Sequence, residues 1–232
     1  MQSLPDGYRA VVVGATGTIG SALARQLQAD ARCGQLIALG RSSKPSINFQ
    51  DEKSIVQAAD YLRDQGPLHL IIVATGMLHT PDGWPEKRLS QINYHQMMNS
   101  FTINTFGPAM VCAHFSSLLA RHERSLLAVL SAKVGSIQEN HLGGWYSYRA
   151  SKAALNMIVK TASIELARTH PHAVLAALHP GTVDSPLSAP FSSPHIKRTA
   201  TQAATELLQV IDRLPAEKTG HFWAYDGQPL PW

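Results

Sequence analysis

Residues 9–20 read Arg9-Ala10-Val11-Val12-Val13-Gly14-Ala15-Thr16-Gly17-Thr18-Ile19-Gly20, a short β-branched run followed by glycines three residues apart. Valine side chains are crowded in a helix and suit a pleated surface, so the run predicts a strand ending at Gly14. From Ile19 to Ala29 the apolar residues Ile19, Leu23 and Leu27 recur every four positions, the spacing of one helix face. The unit is strand, glycine turn, helix.

Working outward, Leu36 to Leu39 forms a second strand that ends at Gly40-Arg41. A third, short strand is expected at Ile47 to Phe49, ahead of a helix from near Asp51. Leu68 to Ala74 and Leu126 to Leu130 are continuous apolar runs, as expected of parallel strands covered on both faces. Ile92 to Arg121 is long enough for one long helix or two, kinked or broken at Pro108. A helix over Tyr146 to Thr169 leads to a strand over Ala173 to Leu178 and a Pro- and Ser-rich loop from Pro180 to Pro194. A helix near Thr201 to Asp212 and a last strand near His221 to Ala224 complete the pattern. This alternation predicts an α/β fold: a Rossmann-type, doubly wound, mostly parallel sheet flanked by helices, in a single domain over residues 1–232. Only seven residues separate Leu39 from Ile47, too few for a crossover helix, so the helix between the second and third strands is expected to be missing.

The composition fits this fold and narrows the partners. The 232 residues are 44% hydrophobic and 16% charged, enough apolar surface for a large core. The formal charge is +4, but Lys and Arg are scattered and form no run, which argues against nucleic acid. A few such charges suffice for a phosphorylated ligand. Cys33 and Cys112 lie far apart, as free thiols rather than a disulfide framework. There is no apolar run of membrane-spanning length and no secretory pattern at the first residues, so a cytoplasmic protein without membrane contact is expected. The eleven histidines include no HExxH pair, and His170-Pro171-His172 falls at a helix end, so no metal is expected. The absence of Gly-x-Ser-x-Gly after a strand speaks against a hydrolase.

Two features carry chemistry. Glycines at 14, 17 and 20 permit a tight turn and close backbone approach to a pyrophosphate, which the amides of a helix N-terminus attract. The ending Gly-Lys-Ser/Thr of a nucleotide-triphosphate loop is missing. In Tyr148-Arg149-Ala150-Ser151-Lys152 the tyrosine and lysine are four apart on a helix and share a face. An ammonium near a phenol favours the phenolate, lowering a pKa near 10 towards the range an acid/base needs. Alone, such a pair is usually a solvated helix face; the glycine loop makes a site the better reading.

Together these residues resemble the short-chain dehydrogenase/reductase family along nearly the whole chain. Gly14, Gly17 and Gly20, with Thr16, Thr18 and Ile19 between and beside them, match its cofactor loop. Asn104 in INTFGP matches its helix asparagine, Tyr148 and Lys152 its catalytic pair, and Pro180-Gly181, with Val183 and Ser185 after it, its turn beneath the nicotinamide. GGWYSYRASKAALN at 143–156 and the ending YDGQPLPW look like the C-factor-like members, named for a bacterial signalling protein. The resemblance implies an NAD(P)-dependent oxidoreductase that moves hydride between nicotinamide and a small carbonyl or alcohol. Tyr148 would be the acid/base, Lys152 would lower its pKa and bind the nicotinamide ribose, and Asn104 would support a proton-relaying water. A homodimer or homotetramer is implied as well. The alternative is a C-factor-type signalling protein that binds dinucleotide with little turnover.

The chain departs from the family pattern at several places. The usual Asn-Asn-Ala-Gly appears as Val73-Ala74-Thr75-Gly76, leaving backbone contacts from Ala74, Thr75 and Gly76. Asn48-Phe49 stands where an acidic residue is usual, and Asn48 could hydrogen-bond the adenine edge. An ungapped count from Gly135 puts Ala132 at the family's substrate-orienting serine. Ser131, one residue early, is favoured for that role, provided that the strand has ended there or a bulge turns it round. Gly40-Arg41-Ser42-Ser43 offers no carboxylate to a ribose, while Arg41 and Ser42 suit a 2′-phosphate, so NADP(H) is preferred and NAD(H) possible. Trp84, His141, Trp145, Phe191 and His195 are candidates for the substrate pocket, and Ser185 to Pro194 for a lid.

Overall fold

A strand is forced to the centre of a sheet when both of its faces are apolar, and three segments of this chain meet that demand. In the computed structural model, which describes residues 1–80, 83–191 and 197–232, they form the middle of a seven-stranded sheet. In chain order its strands are β1 (Tyr8–Val13), β2 (Cys33–Leu39), β3 (Leu70–Val73), β4 (Ser125–Leu130), β5 (Ala173–His179), β6 (His221–Ala224) and β7 (Pro229–Leu230). Their spatial order is β2-β1-β3-β4-β5-β6-β7. Every pairing is parallel except β6 with the short β7, which sequence patterning did not anticipate. The doubly wound α/β fold is as expected.

Strand alternation sorts the core into two layers. Val11, Val13, Ile71, Val73, Leu127, Val129, Leu175 and Ala177 face α2 (Glu52–Arg63), α4 (Gly107–Phe115) and α5 (Tyr146–Thr169). Their neighbours Ala10, Val12, Leu70, Ile72, Leu126, Ala128, Val174 and Ala176 face α1 (Thr18–Ala29) and α6 (Ala200–Arg213). Leu23 and Leu27 bury the predicted face of α1.

Two expectations need correction. Ile47 to Phe49 is not a strand: Asn48 closes a turn, accepting the Asp51 amide through its carbonyl, and α2 follows. The strand after β2 is β3, and the crossover between them carries α2. The supposed missing helix came from counting a loop as a strand. Of the two outcomes expected at Pro108, a kink or a break, the long helical region shows no break. The run α3 (Tyr94–Phe101), a π-helical segment Thr102–Phe106, then α4 is continuous. Pro108 falls in the first turn of α4, where a missing N–H is tolerated, and the π segment ahead of it absorbs the irregularity.

Candidate active site

The order β2-β1-β3 places the reversal of winding between β1 and β3, where the carboxyl ends of the two strands leave a crevice. Gly14 has φ +85°, and a Cβ on it would meet Thr75 Cγ2 at 2.8 Å and the Ala74 carbonyl carbon at 3.1 Å. The glycine turn and the Ala74-Thr75-Gly76 segment therefore touch without room for a side chain. α1 begins at Thr18 with no side-chain cap, leaving first-turn amides directed at the turn. Thr75 Oγ1 is buried with no hydrogen-bond partner among the described residues. A pyrophosphate-sized anion suits this lining of free amides and an orphaned hydroxyl.

β2 ends beside the same turn: a Cβ on Gly40 would lie 3.5 Å from the Thr16 side chain. Ser43 Oγ closes the loop, accepting from the Gly40 amide and donating to carbonyl oxygens, while Arg41 and Ser42 stay exposed. Asn48 spends Oδ1 on the Gln50 amide, and its backbone is tied to Ser54 at the start of α2. The Phe49 ring lies against Gly107, where a Cβ would strike it, and packs partly into the first core layer. Phe49 is half-buried there.

The catalytic candidates converge from three elements. Lys152 on α5 is 2% exposed, and its Nζ donates to the Leu130 carbonyl at 2.9 Å. A Cβ on Gly76 would lie 3.9 Å from both Lys152 Nζ and Asn104 Oδ1, so these groups share one space. Asn104, fully buried in the π segment, is a three-way tie: Oδ1 accepts from the Met77 amide, and Nδ2 donates to the Met77 carbonyl and to Ser151 Oγ. The α-helical donor to the Asn104 carbonyl would be residue 108, a proline without N–H. Ser131 follows directly on the end of β4, and its hydroxyl donates to Asn156 Oδ1 at 2.6 Å. Asn156 escaped the sequence reading, though Tyr148, Lys152 and Asn156 lie at successive four-residue steps on one face of α5.

The direction of the tyrosine shift is opposite to expectation. Burial pushes the Tyr148 phenol up to about 12 and the Lys152 ammonium down to about 7. Desolvation penalises both charged forms.

Around Tyr148 stands a wall of rings. Trp145 meets Tyr148 with centroids 6.3 Å apart and Phe191 at 5.1 Å, and Phe191 meets Trp84 and His79, which stack on each other at 5.5 Å. Trp84, Trp145 and Phe191, candidates for the substrate pocket, come together. His79 joins them unanticipated, and His141 is exposed and outside the wall. His195, and Ser192 to Pro194 of the expected lid, lie outside the described residues. Beneath, Pro180-Gly181 follows β5, with Gly181 at φ +74°, and Val183 pairs with Arg198. The Ser185 hydroxyl donates to the Val183 carbonyl.

The family model for short chain dehydrogenase matches residues 8–195. The chain belongs to the short-chain dehydrogenase/reductase family. A 1-hydroxy-2-glutathionyl-2-methyl-3-butene dehydrogenase from Rhodococcus sp. (strain AD45) is 31% identical over 96% of this chain and 98% of its own length. The C-signal of Myxococcus xanthus is 35% identical over 62% of this chain and 83% of its own. The crystal structure of an NADPH-bound carbonyl reductase from chicken fatty liver superposes with a TM-score of 0.84 at 23% identity, covering 99% of this chain and all of that one. As a short-chain dehydrogenase/reductase, the protein is an oxidoreductase, and its likeness to C-factor is shared with a dehydrogenase that matches more of the chain. Among the described residues no helix is long and apolar enough to cross a membrane.

Proposed function

We propose that the protein is a cytoplasmic NADPH-preferring reductase of small carbonyl compounds, with alcohol oxidation as the reverse reaction. The observation that carries this reading is Lys152 beside Gly76 and Asn104, with the buried Tyr148 one helical turn earlier on the same face of α5. Tyr148 is the proton donor. A phenol held protonated at neutral pH has a proton to give to a carbonyl oxygen that gains negative charge, which favours reduction. Lys152, shifted to about 7, exchanges protons near neutrality and restores the one Tyr148 gives. The Asn104 carbonyl, denied its α-helical donor, accepts from a water that links Lys152 to solvent. Ser131 orients the substrate oxygen when its hydroxyl turns from Asn156.

Nicotinamide dinucleotide, when bound, supplies the hydride. Gly14, Thr16, Gly17, Thr18, Ile19 and Gly20 would cradle its pyrophosphate. Arg41 and Ser42 would hold the 2′-phosphate, and Asn48 Nδ2, with Ala74, Thr75 and Gly76, the adenosine side. Lys152 would hold the nicotinamide ribose, and Pro180, Gly181, Val183 and Ser185 would line the nicotinamide. The NADPH named for the chicken carbonyl reductase supports the same cofactor here. Turnover is favoured over a binding-only signalling role because Tyr148, Lys152 and Asn104 are all present, Lys152 and Asn104 beside Gly76 and Tyr148 one turn before Lys152 on α5.

The test is NADPH and NADH consumption with a panel of aldehydes and ketones, run also in reverse with alcohols. At least one carbonyl should be reduced, faster with NADPH. A protein that binds NADPH and turns over none of the panel would sink the reading. A homodimer or homotetramer is part of it, built on the long helices where Phe106, Met157 and Ile164 are 46%, 66% and 53% exposed. Met157→Glu should then lower the mass seen in sedimentation.

A further inference from the structure

A 24-residue helix needs partners for its first amides, yet α5 has none from its own cap. Its N-cap is Trp145, held at φ 54°, ψ 43° with no side-chain capping bond. Gly143 and Gly144, both at φ +65°, precede it. Three successive left-handed residues, the last a bulky one, form a strained approach to the helix that carries Tyr148. From within α5, Arg149 donates to the Gly143 and Gly144 carbonyls; the amides of Trp145 and Ser147 still need partners from elsewhere.

Glu86 supplies them from the loop after β3. It is 2% exposed and pairs with no basic group among the described residues. Its backbone carbonyl accepts from the Trp145 amide. One carboxyl oxygen accepts from the Ser147 amide at 3.1 Å, and the other accepts a short bond from the Ser147 hydroxyl. A buried acidic group is compensated here by a helix N-terminus and two donors instead of by a cation. Ser147 is the residue before Tyr148. Trp145, anchored by the same glutamate, packs its ring against Tyr148 and Phe191.

We propose that Glu86 is a positioning residue for Tyr148: it caps α5 from a distant loop, fixes the first helical turn and keeps water from the phenol. Its catalytic consequence rests on the reductase reading; its structural part does not. A group that moves by about 1 Å can cost about a hundredfold in rate, so a loosened first turn should be felt in turnover.

The experiment compares wild type, Glu86→Gln, Glu86→Ala and Ser147→Ala. Three readouts are taken: hydrogen exchange over 143–152, phenolate absorbance of Tyr148 as the difference from Tyr148→Phe, and steady-state kinetics with NADPH. Glu86→Ala should speed exchange of the first-turn amides at least tenfold and lower the Tyr148 ionisation midpoint from about 12 by about one pH unit, as water enters. It should lower kcat by roughly 10- to 100-fold with the Kd of NADPH unchanged within about twofold, because Glu86 touches nothing in the glycine loop. Glu86→Gln, which can still accept from Ser147, should stay within about threefold of wild type in exchange and kcat. Ser147→Ala carries the same test if Glu86→Ala does not fold. Wild-type exchange and phenol titration in Glu86→Ala, or in its stand-in, would overturn the proposal, as would a full loss of protection with kcat unchanged. If the wild type reduces no carbonyl, the reductase reading fails, and exchange and phenol titration still decide the role of Glu86.

Discussion

A Cβ on Gly20 would stand 2.1 Å from the Gly14 carbonyl oxygen, so the first turn of α1 rests directly on the turn that ends β1. The obstacle is backbone and no rotamer change relieves it. Gly20→Ala is expected to lower stability by about 1–3 kcal/mol, read from the denaturant midpoint, and to weaken NADPH binding. Wild-type values of both would show that the two segments can part without cost.

Tyr148→Phe removes the proposed proton donor and keeps the ring against Trp145. Turnover on any substrate found should fall by roughly 100- to 10,000-fold with NADPH binding retained. The Lys152 ammonium, shifted to about 7, gives a second readout. If its proton resupplies Tyr148, reduction is fastest below pH 7 and falls as pH rises through that value. In Lys152→Arg, which stays charged, the fall near pH 7 should vanish. A profile that keeps the limb in Lys152→Arg would assign it to another group.

Much of this site was legible before any coordinates. Strand, turn and helix at 9–29 and the face shared by Tyr148 and Lys152 follow from spacing, because the periods 2 and 3.6 are local rules. Ile47 to Phe49 misled because three residues carry too little periodicity to tell a strand from a turn anchored by Asn48 and Ser54. Glu86 and Ser147 lie 61 residues apart, and nothing in the glutamate's neighbourhood says that it caps a helix. The direction of the Tyr148 shift was equally hidden, since four-residue spacing reports a neighbour and not the loss of water around it.

Arg41 is exposed just after β2, next in sequence to Gly40, which lies against Thr16, and it has no hydrogen bond among the described residues to divert it. A charge-assisted contact is worth about 1.5–3 kcal/mol, so Arg41→Ala should weaken NADPH roughly tenfold to a hundredfold and leave NADH nearly unchanged. Titration of both cofactors by fluorescence checks this, and an equal loss for both would reassign Arg41.

His179, the last residue of β5, has Nδ1 buried without a partner among the described residues and its ring edge-on to Tyr225. Burial first, then the charges of Lys133 and Arg198, push it down to about 4 against the pull of Asp226. Between about 4 and 6.5 the unfolded chain binds the proton that the folded chain refuses. Stability should therefore fall as pH drops through this window, by no more than about 3 kcal/mol for this residue. Urea midpoints of wild type and His179→Gln should converge as the pH is lowered; parallel curves would remove His179 from the acid response.

The sheet's far side ends in a strand of only two residues, β7, one of them Pro229. Proline has no amide hydrogen to offer an incoming backbone, and so short a strand presents almost no ladder to extend. Runaway edge-to-edge stacking is thereby discouraged on that border, which leaves β2 as the edge with a full ladder to offer.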